Sequence, residues 1–417
     1  MKTLWIMDHY SSEPKYGGIV RQYDFAIELA KRGYKVVIIA SSFSHFTHKY
    51  ISEKNILFSE INKNIHYVYL KTFPYDENNS LKRIKNMVSF VQAIKKNYKN
   101  IEQHFGKPDV ITGCSVHPLT WIAAYSISKK YNARYCVEVR DLWPIVWIQG
   151  GEKSRYHPMC LFFSALEKWA YKKADRVIYS MTYGDRYICD VLGIPKKKVF
   201  WVGQPMDCER FDQFSKIKID LIPKDLQSFI KDSYVCVFAG YYMEYEGVYT
   251  MLEAAKNLKE KKYPIKMVFV GSGQEEQGMK DYVKLNNLTN VFIGPRISKE
   301  AIPALLKISN ICMAQLSHKN NQAYKYGTSK NKVNEYLYSG NCTIFAFSLK
   351  NDPVAMSGGG YVIEPNNVEE LTNKIIEVYE MPRDKYVKFG DNGKKYINQN
   401  HKVEVLADKM EKILFED

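Results

Sequence analysis

Along the first 205 residues, short runs rich in β-branched and apolar side chains alternate with helical patterns, and this alternation constrains the fold more than any other feature. "TLWIMDH" is followed by "IVRQYDFAIELAKRG" and "YKVVIIAS"; further on, "DVITGCS", "HPLTWIAAYSISKKY", "ARYCVEVRD", "LEKWAYKKA" and "DRVIYS" keep the same order. Strands separated by helices are joined by crossovers, so they lie parallel in a sheet covered by helices. "KVFWVGQPMDCERF" closes the series near residue 205.

The second half begins the same grammar again. "YVCVFAGYY" reads as a strand entering a glycine turn, "GVYTMLEAAKNLKEKK" as an amphipathic helix and "YPIKMVFVGSG" as the next strand. At 417 residues the chain has the length for two domains. It therefore reads as an α/β chain of two Rossmann-like domains, with ligands expected in a cleft at the carboxyl ends of the strands. The polar stretch "FSKIKIDLIPKDLQSFIKDS" reads as a linker between them. The last helix, "VEVLADKMEKILFE", has apolar residues at 403, 405, 406, 410, 413 and 414, a helical stripe.

The net charge of +15 is carried by one half: residues 1–200 hold 31 Lys and Arg against 17 Asp and Glu, the remainder 29 against 28. Such an excess points to nucleic acid, an anionic lipid surface or a phosphorylated substrate. In "SLKRIKNMVSFVQAIKKNYKNIEQHFG", Ile84, Met87, Val88, Val91, Ile94 and Ile101 share a helical face, with Lys82, Arg83, Lys85, Lys95, Lys96 and Lys99 around it. That pattern fits a helix covering the sheet or one lying on a membrane. No nucleic-acid reading module accompanies the charge, so nucleic acid is not expected as a partner.

The eight cysteines stand singly with no C-x-x-C, as reduced thiols of a cytosolic protein do. The N-terminus lacks the apolar region of a signal peptide, and no uncharged run approaches the ~18 residues that span a bilayer. A cytoplasmic location is expected. Neither a D-x-D pair nor H-E-x-x-H occurs, so no metal ion is expected.

Four segments carry candidate chemistry. In "PKYGGIVRQYDFAIELAKRG", Gly17 and Gly18 separate a strand from a helix, where backbone N–H groups can approach an anion; the G-x-G-x-x-G fingerprint of an NAD enzyme is absent. His117, in "GCSVHPLTWIAA", opens a helix at the carboxyl edge of a strand. "CVEVRDLWPIVWIQGG" leaves the next strand with Glu138, Arg140 and Asp141, then Trp143 and Trp147. It reads either as an ion pair pinning a loop over packed indoles or as a platform for an acceptor sugar. In "GTSKNKVNEYLYSGN", Lys330 and Lys332 begin a helix with Glu335 one turn inside. Unpaired cations at the electropositive start of a helix are unfavourable, so an absent anionic ligand is expected to face them.

Through "YGGIVRQ", "SVHPL", "EVRDLWP", "AGYYMEYEGVYTMLEAA", "FIGPRISKEAIPALLKISNICMAQL", "YGTSKNKVNEYLYSGN" and "FGDNGKKYINQNHKVEVLADKM", the chain resembles retaining glycosyltransferases of family 4 with the GT-B fold. Within that family it resembles the bacterial surface-polysaccharide branch that includes N-acetyl-L-fucosamine transferases of O-antigen and capsule synthesis. The resemblance covers nearly the whole chain. It implies an acceptor-binding domain over 1–205, onto which a C-terminal helix at about 396–417 folds back, and a nucleotide-sugar-binding domain over 206–395. It also implies a metal-independent enzyme with no cofactor beyond its UDP-sugar substrate.

Residue by residue, the resemblance implies that Glu335 bonds the donor ribose and Lys332 the diphosphate, with His117 near the transferring sugar; these three are the catalytic candidates. Gly17 and Gly18 match the loop over the donor phosphates and Arg296 a loop near the base, while Gly240, Ser329, Lys330 and Asn331 complete the donor set. Glu138, Arg140, Asp141 and Trp143 are the acceptor candidates. Two positions depart from the family: Gly327 stands where the first Glu of E-x7-E is usual, and Glu246 where many relatives carry Lys. Leaving-group charge then falls to Lys332, Lys330 and Arg296.

The expected function is transfer of an N-acetylated sugar from a UDP donor to a polyprenyl-diphosphate-linked saccharide, at the anionic inner face of the cell membrane. A UDP-N-acetylglucosamine 2-epimerase of the same fold is the nearest alternative enzyme, and a nucleic-acid-binding protein the alternative of another class. An epimerase leaves the basic first half without a purpose.

Overall fold

Each parallel run read from the sequence becomes a strand, and the strands fall into two separate sheets. The computed structural model describes residues 1–76, 81–115, 117–149, 153–216, 219–316, 322–349 and 352–416. The chain divides into two units. The first comprises Met1–Pro205, Tyr326–Ser329 and the segment from Val403 onward; the second comprises Met206–Lys325 and Lys330–Lys402.

The first unit holds an eight-stranded sheet: β1 (Thr3–Met7), β2 (Lys35–Ser41), β3 (Ile56–Asn62), β4 (Ile65–Leu70), β5 (Val110–Cys114), β6 (Arg134–Val139), β7 (Arg176–Tyr179) and β8 (Val199–Trp201). Their spatial order is β3-β4-β2-β1-β5-β6-β7-β8. All neighbours are parallel except β3 and β4, which form an antiparallel pair at the edge. The chain builds outward from β1 in both directions, so the crevice beside β1 and β5 is the topological switch point, where open α/β sheets place ligands.

The basic helix Leu81–Phe105 turns Met87, Phe90, Ile94 and Ile101 into the core and leaves Lys82, Lys85, Lys95, Lys96 and Lys99 exposed. Its apolar face covers the sheet and is not available to a bilayer. The helix Val403–Phe415 buries Leu406, Met410 and Leu414 against Phe25 and Leu29 of the helix Arg21–Lys31. Arg32 pairs with Asp408 at 2.7 Å and with Glu411 at 3.3 Å. The preceding helix, Arg383–Asn400, belongs to the second unit, so the chain crosses at 402/403.

The second unit carries a six-stranded, wholly parallel sheet: β9 (Tyr234–Tyr241), β10 (Ile265–Ser272), β11 (Val291–Gly294), β12 (Ile311–Gln315), β13 (Cys342–Ala346) and β14 (Gly360–Ile363), in the order β11-β10-β9-β12-β13-β14. Its switch point lies between β9 and β12. The stretch read as a linker is part of this unit. The helices Cys208–Lys216 and Lys224–Ile230 bury Phe211, Leu226 and Ile230 in its core; residues 217–218 lie outside the described residues. Polar composition concealed this because the few apolar residues that build the core, Phe211, Leu226 and Ile230, stand among polar ones at helical spacing.

Candidate active site

In the second unit, β9 and β10 each carry a glycine one residue before their last, Gly240 and Gly271, and a pocket of about 410 Å³ opens over their carboxyl ends. Lys332 packs over Gly240: its side chain crosses the strand end so closely that a Cβ there would push the ammonium aside, and Nζ stands 4.4 Å from the Phe238 ring centroid. The helix Asn331–Ser339 supplies Lys332 and Glu335, with Lys330 immediately before it in extended conformation and Gly340 closing it in the left-handed conformation. Tyr336 Oη accepts from Ala239 N at 2.8 Å and donates to Ala239 O at 3.2 Å, tying this helix to β9. Arg296 and Lys299 line the pocket from the loop after β11.

The two lysines do not lack an anion. Glu246, two residues before the start of the helix Val248–Glu260, accepts Lys330 Nζ on Oε1 at 2.5 Å and Lys332 Nζ on Oε2 at 2.7 Å. The sequence shows the departure at 246 but not this pairing, so the cations expected to be unpaired are in fact paired. Burial pushes the Glu246 carboxyl up, yet Lys332 and Lys330 outweigh it and hold it below the usual range. Burial draws Lys330 down to about 8 despite Glu246. Glu335, half-buried, is raised by desolvation, with Lys299, Arg210 and Lys332 opposing. Glu335 makes no hydrogen bond or ion pair among the described residues, and so offers a free carboxylate to the pocket.

Of the donor candidates, the pocket brings together Gly240, Arg296, Lys330, Asn331, Lys332 and Glu335. Gly17, Gly18 and Ser329 belong to the first unit, where Ser329 O accepts from Gln204 Nε2 at 3.4 Å. Gly327 also lies there at φ 88°, and a Cβ would press within 2.9 Å of Thr182 N. A glutamate at 327 is disfavoured both by backbone conformation and by space. Lys299 and Tyr336 were missed by sequence reading, because a lysine in a loop and a tyrosine within a helix carry no signal of their own.

At the switch point of the first unit, residues following three strands meet. His117 is fully buried and not open to solvent: its Nε2 lies 2.5 Å from Nδ1 of His9, itself stacked on Phe90. Burial holds His117 down at about 3, with Arg83 adding to it, and holds His9 well below its usual value, so the pair is neutral and shares a single N–H between the rings. The carboxyl-edge location expected for His117 is therefore correct, but its imidazole faces the interior. His9 was legible in principle, since it follows β1 as His117 follows β5.

The acceptor candidates separate. Glu138 is 1% exposed and accepts Arg21 Nε at 2.7 Å and Gln22 Nε2 on its other oxygen. Trp143, 6% exposed, packs edge-on against Trp147 at 4.5 Å and beside Phe163. Both are corrected to interior roles: a carboxylate already neutralised and an indole already covered have no face left for a sugar. Arg140 Nη1 reaches the buried Asp8 at 3.4 Å, and Asp141 is exposed at the sheet edge. Among the described residues, no three His, Cys, Asp or Glu side chains converge as a metal set.

Two family models match the chain in succession: Glycosyltransferase Family 4 over residues 16–210 and Glycosyl transferases group 1 over residues 223–396. The chain is a two-domain glycosyltransferase of the GT-B fold. Solved structures agree on the fold of this glycosyltransferase. Sucrose-phosphate synthase from Thermosynechococcus elongatus superposes with a TM-score of 0.73 at 16% identity, over 99% of this chain and 98% of that one. HepE of Anabaena, solved in complex with UDP, gives 0.65 at 13% identity, over 99% of each chain. The E. coli trehalose-6-phosphate structure bound with UDP-2-fluoro glucose gives 0.74 at 9% identity, over 100% and 99%. No curated protein matches by sequence.

Proposed function

We propose that this glycosyltransferase transfers an N-acetylated sugar from a UDP-sugar, with retention and without a metal ion, to a polyprenyl-diphosphate-linked saccharide in bacterial surface-polysaccharide assembly. The observation that carries the donor half is the convergence of Lys330, Lys332 and the free carboxylate of Glu335 on one pocket at the ends of β9 and β10. Ammonium groups in a mostly buried site suit a leaving diphosphate, and a carboxylate one turn away suits ribose hydroxyls. HepE and the E. coli protein, of the same fold, were solved with UDP and a UDP-sugar analogue, which favours uridine as the base.

For the acceptor half, Arg140 and Asp141 remain the side chains at the carboxyl edge of the first sheet with exposed or part-exposed polar groups. An anionic bilayer as the site of work is favoured by the lysines of the helix Leu81–Phe105 and by Tyr156, Leu161 and Phe162, exposed at the start of the helix Pro158–Lys173. Met87 and Phe163 of these two helices share one apolar cluster, so cations and exposed apolar groups lie in one layer. No helix among the described residues is long and apolar enough to cross a membrane.

A panel of UDP- and GDP-sugars read by thermal shift, then acceptor-dependent nucleotide release, tests the reading. A UDP-sugar should raise the melting temperature, and Lys332→Ala should lower turnover roughly 100-fold while the protein stays folded, as loss of one charge-stabilising donor does. A chain that no nucleotide sugar stabilises, or a Lys332→Ala variant of undiminished turnover, contradicts it.

A further inference from the structure

Glu246 is a carboxylate in the donor pocket to which nucleotide recognition gives no task. Its side chain is 5% exposed and stands between two ammonium groups that reach it from residues more than eighty positions away. The stems of both lysines are fixed: Lys332 lies along Gly240 and Phe238, and Lys330 passes 5.8 Å from the Tyr245 ring centroid. Each ammonium has three N–H bonds and spends one on Glu246, which leaves two apiece for a ligand.

We propose that Glu246 is a positioning residue of the donor site: its carboxylate holds Lys330 and Lys332 side by side as charged ammoniums, so that their remaining N–H groups present to the diphosphate of the nucleotide. This rests on the donor reading given above. Two ammoniums brought together with little water repel, and a desolvated lysine sheds its proton. For Lys330, burial and Lys332 both favour the neutral amine, and Glu246 is the group that opposes them. The balance leaves it at about 8 with the carboxylate in place. Without that carboxylate, burial and Lys332 act unopposed and drive Lys330 further toward the neutral amine, and the pair loses its geometry and part of its charge. The other charged or titratable groups facing this cluster are Glu335 and Tyr336 on the same helix, Arg296 and Lys299 from the loop after β11, Tyr241 at the end of β9, and Tyr245 beside Glu246.

The test is calorimetric titration of UDP into the full chain between pH 7 and 9, for wild type, E246Q and E246D. In wild type, affinity should fall as pH rises through about 8. E246Q should bind at least tenfold more weakly at pH 7, with the fall in affinity shifted to lower pH because Lys330 has lost the group that keeps it charged, and E246D should recover most of the affinity and the wild-type pH dependence. Should E246Q not fold, K330M must abolish the wild-type fall. Equal or tighter binding of UDP by E246Q overturns the proposal, making Glu246 a bystander or a competitor for the lysines. A pH-independent wild-type profile overturns it equally. Failure of the wild type to bind either UDP or GDP removes the donor reading itself, and the proposal with it.

Discussion

Glu138→Gln separates two roles for the acidic residue at the end of β6, and its cost can be worked from the contacts. The substitution keeps shape and volume, so no cavity forms, but it removes the counter-charge of Arg21. That guanidinium has a side chain 2% exposed and retains only neutral acceptors: Gly203 O at 2.5 Å, Val202 O at 2.9 Å and Gln204 Oε1 at 3.0 Å. Burial opposes ionisation of Glu138, and Arg21 and Arg140 overcome it, so at neutral pH the lost partner is a full negative charge. Removing one member of a buried pair costs roughly 3–5 kcal/mol. At about 2–4 °C per kcal/mol for a unit of this size, the first unit should melt about 6–20 °C earlier. Scanning calorimetry measures this directly. A double variant, Arg21→Met with Glu138→Leu, should recover much of the loss, because no charge is then left unpaired. A Glu138→Gln protein that melts within about 2 °C of wild type, yet shows a raised KM for acceptor, would refute the structural role and restore the acceptor role.

Two further outcomes follow from buried and exposed groups elsewhere in the first unit. Glu167 is fully buried between Tyr171 Oη at 2.9 Å and Tyr187 Oη at 2.8 Å, and burial raises it to about 8 against the hydroxyls' opposing effect. The folded state therefore keeps a proton that the unfolded chain releases near pH 4.5, so stability is fully present below that pH and is lost as pH climbs to about 8, on the order of 5 kcal/mol in all. Glu167→Gln should flatten the melting temperature between pH 5 and 9, and an unchanged slope would assign it to another group. For the membrane surface, flotation should recover the wild-type protein with vesicles rich in phosphatidylglycerol and not with phosphatidylcholine alone. Leu161→Ser with Phe162→Ser should reduce that recovery severalfold, and indifference to lipid charge would sink the bilayer assignment.

Periodicity made the architecture legible, because a strand covered on both faces must be apolar throughout and a crossover helix must be apolar on one side. That dictated β1, β2, β5, β6, β9 and β10 and the restart of the pattern in the second half. It failed where the signal is local and weak. The β3–β4 pair turns at Asn62–Asn64 without a strong hairpin dipeptide, and the stretch read as a linker folds as short helices.

At the site, chemistry-bearing residues were readable as soon as they followed a strand or opened a helix, which is how Lys330, Lys332, Glu335, His117 and Arg140 came to notice. The sequence by itself determined that these side chains stand at the carboxyl edges of two parallel sheets. Only the tertiary structure decided what each of them meets there. Glu246 and Lys332 are 86 residues apart, His9 and His117 108, and Arg21 and Glu138 117. A hydrophobic pattern fixes which face of an element turns inward, but the partner of a buried charge is set by the packing of elements far apart in the chain. Hence Glu138 and Trp143, which looked like an acceptor platform, lie inside, and the cations at residues 330 and 332 turned out to carry their own anion.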